Sequence, residues 1–188
     1  TDNGRALFDY LIENGYNKKY EIVWLVHEPK KYKEYETENV KFVQNFKKGS
    51  TIRRAEAYKY ALTSRYIFYT QAFNWIAMSR RNQLFIDLWH GCGYKDVPRE
   101  KRENTGASMM HFDYALVPGE AFVETKSRYW KCPKEKILPL GYPRYDWMLH
   151  PSINSQDIIW KMFGMKADKV ILWMPTFRNS EVLDSAES

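Results

Sequence analysis

The sequence predicts an α/β protein in which a parallel sheet is flanked by helices in three layers. Three observations carry this. Short apolar runs rich in β-branched and aromatic residues recur along the chain, and segments with helical spacing separate them. At 188 residues the chain is long enough for one sizeable core. Its 44% hydrophobic and 28% charged residues are ordinary for a soluble globular domain, and its 16% aromatics predict bulky packing.

The elements follow in order. Asp2-Asn3-Gly4 offers a helix start, Ala6, Leu7, Tyr10 and Leu11 recur at helical spacing, and Asn14-Gly15 supplies a stop. Strands are expected at Tyr20 to Val26 and Val40 to Val43. A helix over Ser50 to Leu62 is expected to bury Ala55, Tyr58 and Leu62. Tyr66 to Tyr69 and Leu84 to Trp89 read as the third and fourth strands, and Asn104 to Met110 as a short helix.

Tyr114 to Val117 is a fifth strand, and Glu120 to Tyr129 a helix. Its acidic start (Glu120, Glu124) and basic end (Lys126, Arg128) suit the helix dipole. A strand at Lys136 to Leu140 leads through Gly141-Tyr142-Pro143 into a brief helix ending near Leu149. Pro151 to Asn154 reads as a boundary. Gln156 to Phe163 is helical with Gly164 as stop, and Val170 to Met174 is a further strand.

Two expectations concern the ends. The sequence opens on a helix where a doubly wound domain normally begins with a strand, and it closes just past a strand that begins something new. Both point to a piece of a larger protein.

The fourth run is the most informative. Leu84-Phe85-Ile86-Asp87-Leu88-Trp89 ends in His90, and Gly91, Gly93 and Lys95 follow. Ligands of open α/β folds sit outside the carboxyl ends of the strands. Histidine is the side chain whose unperturbed pKa lies nearest neutrality. From the residues alone, His90 reads equally as a reacting group or as a core histidine satisfied by backbone.

The formal charge of +6 favours an anionic partner. No nucleic-acid motif is present, so nucleic acid is not an expected partner. The two cysteines, Cys92 and Cys132, lack zinc-site spacing and read as free thiols in a reducing compartment. No apolar run reaches the ~18 residues of a membrane span and no signal-peptide pattern is read, so membrane contact is expected to be peripheral. No Walker loop and no GxGxxG after a first strand is present.

Trp89-His90-Gly91, Gly141-Tyr142-Pro143-Arg144-Tyr145-Asp146 and Pro175-Thr176-Phe177-Arg178 stand in the order and approximate spacing of a known family. The opening Asp2-Asn3-Gly4-Arg5-Ala6-Leu7 and the strand Ile22 to Val26 are similar to that family's first helix and second strand. The chain resembles the CDP-glycerol glycerophosphotransferases, the teichoic acid primases and polymerases of Gram-positive bacteria. After Trp-His-Gly that family usually has Thr-Pro-Leu-Lys. This chain has Cys92-Gly93-Tyr94-Lys95 and keeps the lysine.

The resemblance implies the GT-B arrangement of two Rossmann-like domains facing a cleft. Residues 1–150 would be the acceptor-side domain, and 151–188 the linker helix and first strand of the nucleotide-binding domain. The family's second catalytic histidine and its donor site would lie beyond Ser188. The implied reaction moves glycerol phosphate, or a related alditol phosphate, from a CDP-linked donor to a hydroxyl of a growing polyol-phosphate or lipid-linked acceptor, releasing CMP. It implies work at the inner, cytoplasmic membrane surface and calls for no cofactor. No carboxylate cluster suggests a metal.

The attacking hydroxyl must lose a proton, and the resemblance implies His90 as the general base. Gly91 and Gly93 would let backbone N–H groups reach a phosphate, or simply form a tight turn. Lys95 would neutralise phosphate charge, or sit solvated at a helix start. Arg144 would bind phosphate, or pair with Asp146 to hold the turn. Arg178 is a phosphate ligand or an exposed loop arginine.

His27 ends the second strand but lacks glycines after it and reads as loop, while His111 and His150 carry no local signal. Lys30 to Tyr35 reads as a solvated loop, with an anionic polymer or membrane surface as the alternative. Two rival readings are a glycosyltransferase with a nucleotide-sugar donor and a non-catalytic module binding an anionic polymer. The second expects His90 to be packed away from any cleft.

Overall fold

The computed structural model describes residues 2–45, 51–70, 82–91, 112–150, 154–171 and 173, excepting the side chains of 51–54. It divides into two compact units, Thr1–His150 and Pro151–Ser188.

In the first unit, helix α1 (Asn3–Glu13) starts where Asp2 accepts the Asn3 N–H on its carboxylate at 2.7 Å. It stops at Asn14, and Gly15 follows in the left-handed region at φ 71°. Strands β1 (Ile22–Val26) and β2 (Val40–Gln44) pair in parallel. Strands β3 (Tyr66–Tyr69), β4 (Leu84–Asp87), β5 (Tyr114–Leu116) and β6 (Ile137–Leu138) form a four-stranded parallel sheet in sequence order. Helices α2 (Thr51–Thr63), α3 (Val123–Trp130) and α4 (Arg144–Leu149) accompany them. The second unit holds α5 (Ser155–Phe163), capped by Asn154 and ended by Gly164 at φ 66°. The α/β class and the parallel pairing are thus as the alternating pattern predicts.

Several expectations change. Strand β4 ends at Asp87, two residues before Trp89. The cause is local: the Asp87 carboxylate accepts the Trp89 N–H at 2.7 Å, and Trp89 turns to φ 50°. Helix α2 buries Ala57 and Ala61, while Ala55 and Tyr58 are exposed. Its buried stripe is one of small residues, displaced from the bulkier one expected. Segment Pro29–Tyr35 is solvated as expected, with Lys30, Lys31, Lys33 and Glu34 exposed, but winds as a 3₁₀ run in which Tyr32 stacks on Phe42, ring centroids 5.2 Å apart.

The strand expected at Val170 to Met174 is absent from its described residues. Val170, Ile171 and Trp173 are exposed and pair with no described strand. The short helix expected at Asn104 to Met110 lies outside the described residues.

Three apolar clusters carry the first unit. Phe8 of α1 packs on Val26, Val40 and Phe42, its ring 5.0 Å from that of Trp24. Leu88, Leu116 and Tyr142 form a second cluster that Leu7 of α1 joins. Phe112, Ala115, Val117, Trp130 and Ile137 form the third. Helix α1 therefore contributes to two clusters at once and also lies against α4. Phe8→Ala is expected to cost about 3 kcal/mol or more. The midpoint of urea unfolding, followed by tryptophan fluorescence, checks this; an unchanged midpoint contradicts the packing.

Candidate active site

The site is built on the backbone just after β4. Asn3 is fully buried, and its Nδ2 donates to the Leu88 carbonyl at 2.9 Å and to the Trp89 carbonyl at 2.7 Å. Arg144 Nη2 donates to the His90 carbonyl at 2.9 Å, and Tyr142 Oη to the Gly91 carbonyl at 2.8 Å. Four consecutive carbonyls are thus held by three side chains from α1 and the Gly141–Arg144 turn. The holders are linked. Asn3 Oδ1 accepts the Arg144 backbone N–H at 3.3 Å, and Asp2 accepts from Arg144 Nη1 at 3.1 Å. The carboxylate that caps α1 therefore also anchors the guanidinium.

On this support the His90 ring stands exposed. Its Nδ1 lies 2.7 Å from the Thr70 carbonyl oxygen, just past β3. A carbonyl can only accept, so in the neutral ring the proton sits on Nδ1. Nε2 then carries a free lone pair, which is what a proton acceptor needs. The Trp89 ring lies against that of His90, centroids 4.3 Å apart.

Beneath the loop is a buried charged group. Asp87 is fully buried; one oxygen accepts the Trp89 N–H, and the other has no hydrogen-bond partner. Burial pushes its carboxyl up from 3.8 to about 7, opposed by the Trp89 N–H and the nearby Lys126 cation. Lys126 is itself buried, its ammonium 4.9, 5.1 and 5.0 Å from the ring centres of Trp89, Tyr129 and Trp130. The sequence placed Lys126 among the basic residues late in its helix; in the structure it is buried in an aromatic cage. Burial and the Asp87 and Asp113 carboxylates together push the Tyr69 hydroxyl up.

Of the residues singled out in the sequence, His90, Gly91 and Arg144 come together at this loop. Arg144 pairs with Asp2, correcting the expected alternative of a pair with Asp146. A Cβ built on Gly91 would meet nothing within 4 Å. Gly93, Lys95 and Arg178 lie outside the described residues, as does Cys92. His27 lies apart, lining an open groove of about 290 Å³ at the ends of β1 and β2, where Glu28 and Lys31 pair at 3.0 Å.

Asn3, the Tyr142 hydroxyl, Asp87 and Lys126 were not singled out as functional. Asp87 carried a signal, an acid inside the apolar run Leu84 to Trp89. Asn3 and Tyr142 stood inside the motifs Asp2 to Leu7 and Gly141 to Asp146, but nothing local marked their contacts, because their partners lie 85 and 51 positions away. Among the described residues no group of three or more His, Cys, Asp or Glu could hold a metal. None of their helices is long and apolar enough to cross a membrane.

The first unit is a parallel α/β unit with an oriented, exposed histidine just beyond a strand's carboxyl end, the edge at which open α/β folds bind ligands. The whole chain, residues 1–188, matches the family described as CDP-Glycerol:Poly(glycerophosphate) glycerophosphotransferase, and it belongs to that family. It is 25% identical to the teichoic acid poly(glycerol phosphate) polymerase of Staphylococcus epidermidis, over 100% of this chain and 27% of that protein. It is 26% identical to the teichoic acid glycerol-phosphate transferase of Staphylococcus aureus, over 97% of this chain and 48% of that protein. Among solved structures it resembles a variant of the wall teichoic acid polymerase TagF soaked with CDPG. There the TM-score is 0.71 at 21% identity, covering 96% of this chain and 45% of that one. The chain spans less than half the length of these relatives.

The raised Asp87 carboxyl sets a pH dependence. Between pH about 4 and about 7 the folded state keeps a proton that the unfolded state has released. Stability therefore falls as pH rises through that window, by at most about 4 kcal/mol, and levels off above it. Asp87→Asn is expected to flatten this slope. Melting temperatures of both proteins from pH 4.5 to 7.5 check it; parallel profiles contradict the assignment.

Proposed function

We propose that this chain is the acceptor-side part of a CDP-glycerol-dependent phosphotransferase of GT-B type. Residues 1–150 form the acceptor-side domain, and 151–188 the linker helix and the start of the nucleotide-binding domain. The enzyme transfers glycerol phosphate, or a related alditol phosphate, from its CDP-linked donor to a hydroxyl of a growing teichoic acid or other cell-surface polymer. It works peripherally at the cytoplasmic face of the membrane. Family membership supports the donor class, and the net charge of +6 suits a polyanionic acceptor.

The observation that carries the mechanism is the 2.7 Å contact between His90 Nδ1 and the Thr70 carbonyl. With Nδ1 protonated, Nε2 takes the proton of the acceptor hydroxyl as its oxygen bonds to the distal phosphorus of the donor. The bond from that phosphorus to the bridging oxygen breaks, and CMP leaves with the electron pair. The exposure of the ring speaks against a non-catalytic module, which expects it packed away.

In the full-length polypeptide carrying this sequence, His90→Ala is expected to lower CMP release from CDP-glycerol by about 100-fold or more with the melting temperature retained. CDP-ribitol assayed alongside identifies the alditol. Undiminished release by His90→Ala contradicts the base assignment. Release from a nucleotide sugar but from neither CDP-alditol favours the glycosyltransferase reading. The 188-residue chain alone is expected to bind CDP-glycerol weakly, and tight binding by calorimetry contradicts the division into acceptor and donor parts.

A further inference from the structure

We propose that Asn3 and Arg144 are positioning residues that aim the His90 imidazole, and that Arg144 is not a phosphate ligand. The proposal rests on His90 being the base.

The argument starts from peptide geometry. A trans peptide is a rigid plane, so holding its carbonyl fixes the plane's orientation. Asn3 holds the planes that follow Leu88 and Trp89, and Arg144 holds the one that follows His90. The two peptide planes flanking the His90 Cα are therefore both fixed from outside the loop. With the backbone set, the Thr70 carbonyl selects the ring's tautomer and the Trp89 ring supports one face. Trp89 stands at φ 50°, a conformation costing a large side chain on the order of 1–3 kcal/mol. Bonds from Asn3 and Asp87 on either side of that residue offset the cost.

Arg144 is committed in both directions. Nη1 donates to Asp2 and Nη2 to the His90 carbonyl, and Asn3 accepts its backbone N–H. A guanidinium recruited to a ligand would meet phosphate bidentately with this fork. Here the fork joins the cap of α1 to the backbone of the reacting histidine. Asn3 closes the arrangement: buried and amide-bearing, it donates to one segment while accepting from another, which neither Asp nor Leu of similar size does.

The test separates kcat from KM in the full-length polypeptide. A misaligned base slows the chemical step and leaves ground-state binding in place. Asn3→Ala and Arg144→Lys are expected to lower kcat by roughly 10- to 100-fold, with KM for CDP-glycerol within about 3-fold of the parent. Lysine keeps the charge but cannot span Asp2 and the His90 carbonyl together. Tyr142→Phe, which frees the Gly91 carbonyl, is expected to fall in between.

A control distinguishes aim from general weakening. Phe8→Leu destabilises the same helix away from the loop and is expected to keep kcat at temperatures where it remains folded. Each alternative result is decisive. A raised KM with unchanged kcat in Arg144→Lys assigns Arg144 to substrate and overturns the proposal. So does normal kcat in Asn3→Ala beside an inactive His90→Ala, which leaves the base reading standing. Equal loss of kcat in Phe8→Leu reduces Asn3 to a structural role. Full activity in His90→Ala removes the base reading itself.

Discussion

The buried side chain of Asn3 is the contact on which the rest of the site depends. It satisfies three backbone groups that no other described residue meets: the carbonyls of Leu88 and Trp89 and the N–H of Arg144. Each of these groups, left unpaired in a buried setting, costs on the order of 1–3 kcal/mol. The same amide joins the start of α1, the loop after β4 and the start of α4. No apolar residue of similar size could do this, because packing lacks direction and hydrogen bonds fix it.

Apolar packing brings that contact to where it acts. Leu7 sits in the cluster of Leu88, Leu116 and Tyr142, while Phe8, the next residue, belongs to the cluster over β1 and β2. Burial of these side chains supplies most of the stabilisation and sets α1 in place to within a side chain's width. The polar network then sets the remaining fraction of an ångström. This division of labour explains how a residue at position 3 reaches a histidine at position 90 without touching its ring.

Below the loop the electrostatics are balanced with care for solvent. Asp87 and Lys126 are both buried. Lys126 faces three aromatic rings, and Asp87 holds a backbone N–H that also turns the chain out of the strand. Ending β4 by a side chain, not by proline or glycine, keeps Trp89 available as both lid over the lysine and support for His90. Under the proposed function this support holds the group that relieves an acceptor hydroxyl of its proton.

By itself the sequence determined the class of fold, the order of its elements and the motifs that bring His90, Gly91 and Arg144 into view. These are written in local periodicity, in caps such as Asp2 and Gly164, and in short runs of residues that neighbours in the chain can satisfy. It did not show where β4 ends, which face α2 buries, what Lys126 meets, or that Arg144 turns to Asp2 and not to Asp146. Nor do the described residues of the run at Val170 to Met174 pair with a described strand. Only the tertiary structure decided those, and with them the contacts of Asn3. A hydrogen bond across 85 residues leaves no trace in local pattern: the donor is chosen by a helix that two clusters hold, and the acceptor by a loop that a buried acid has turned.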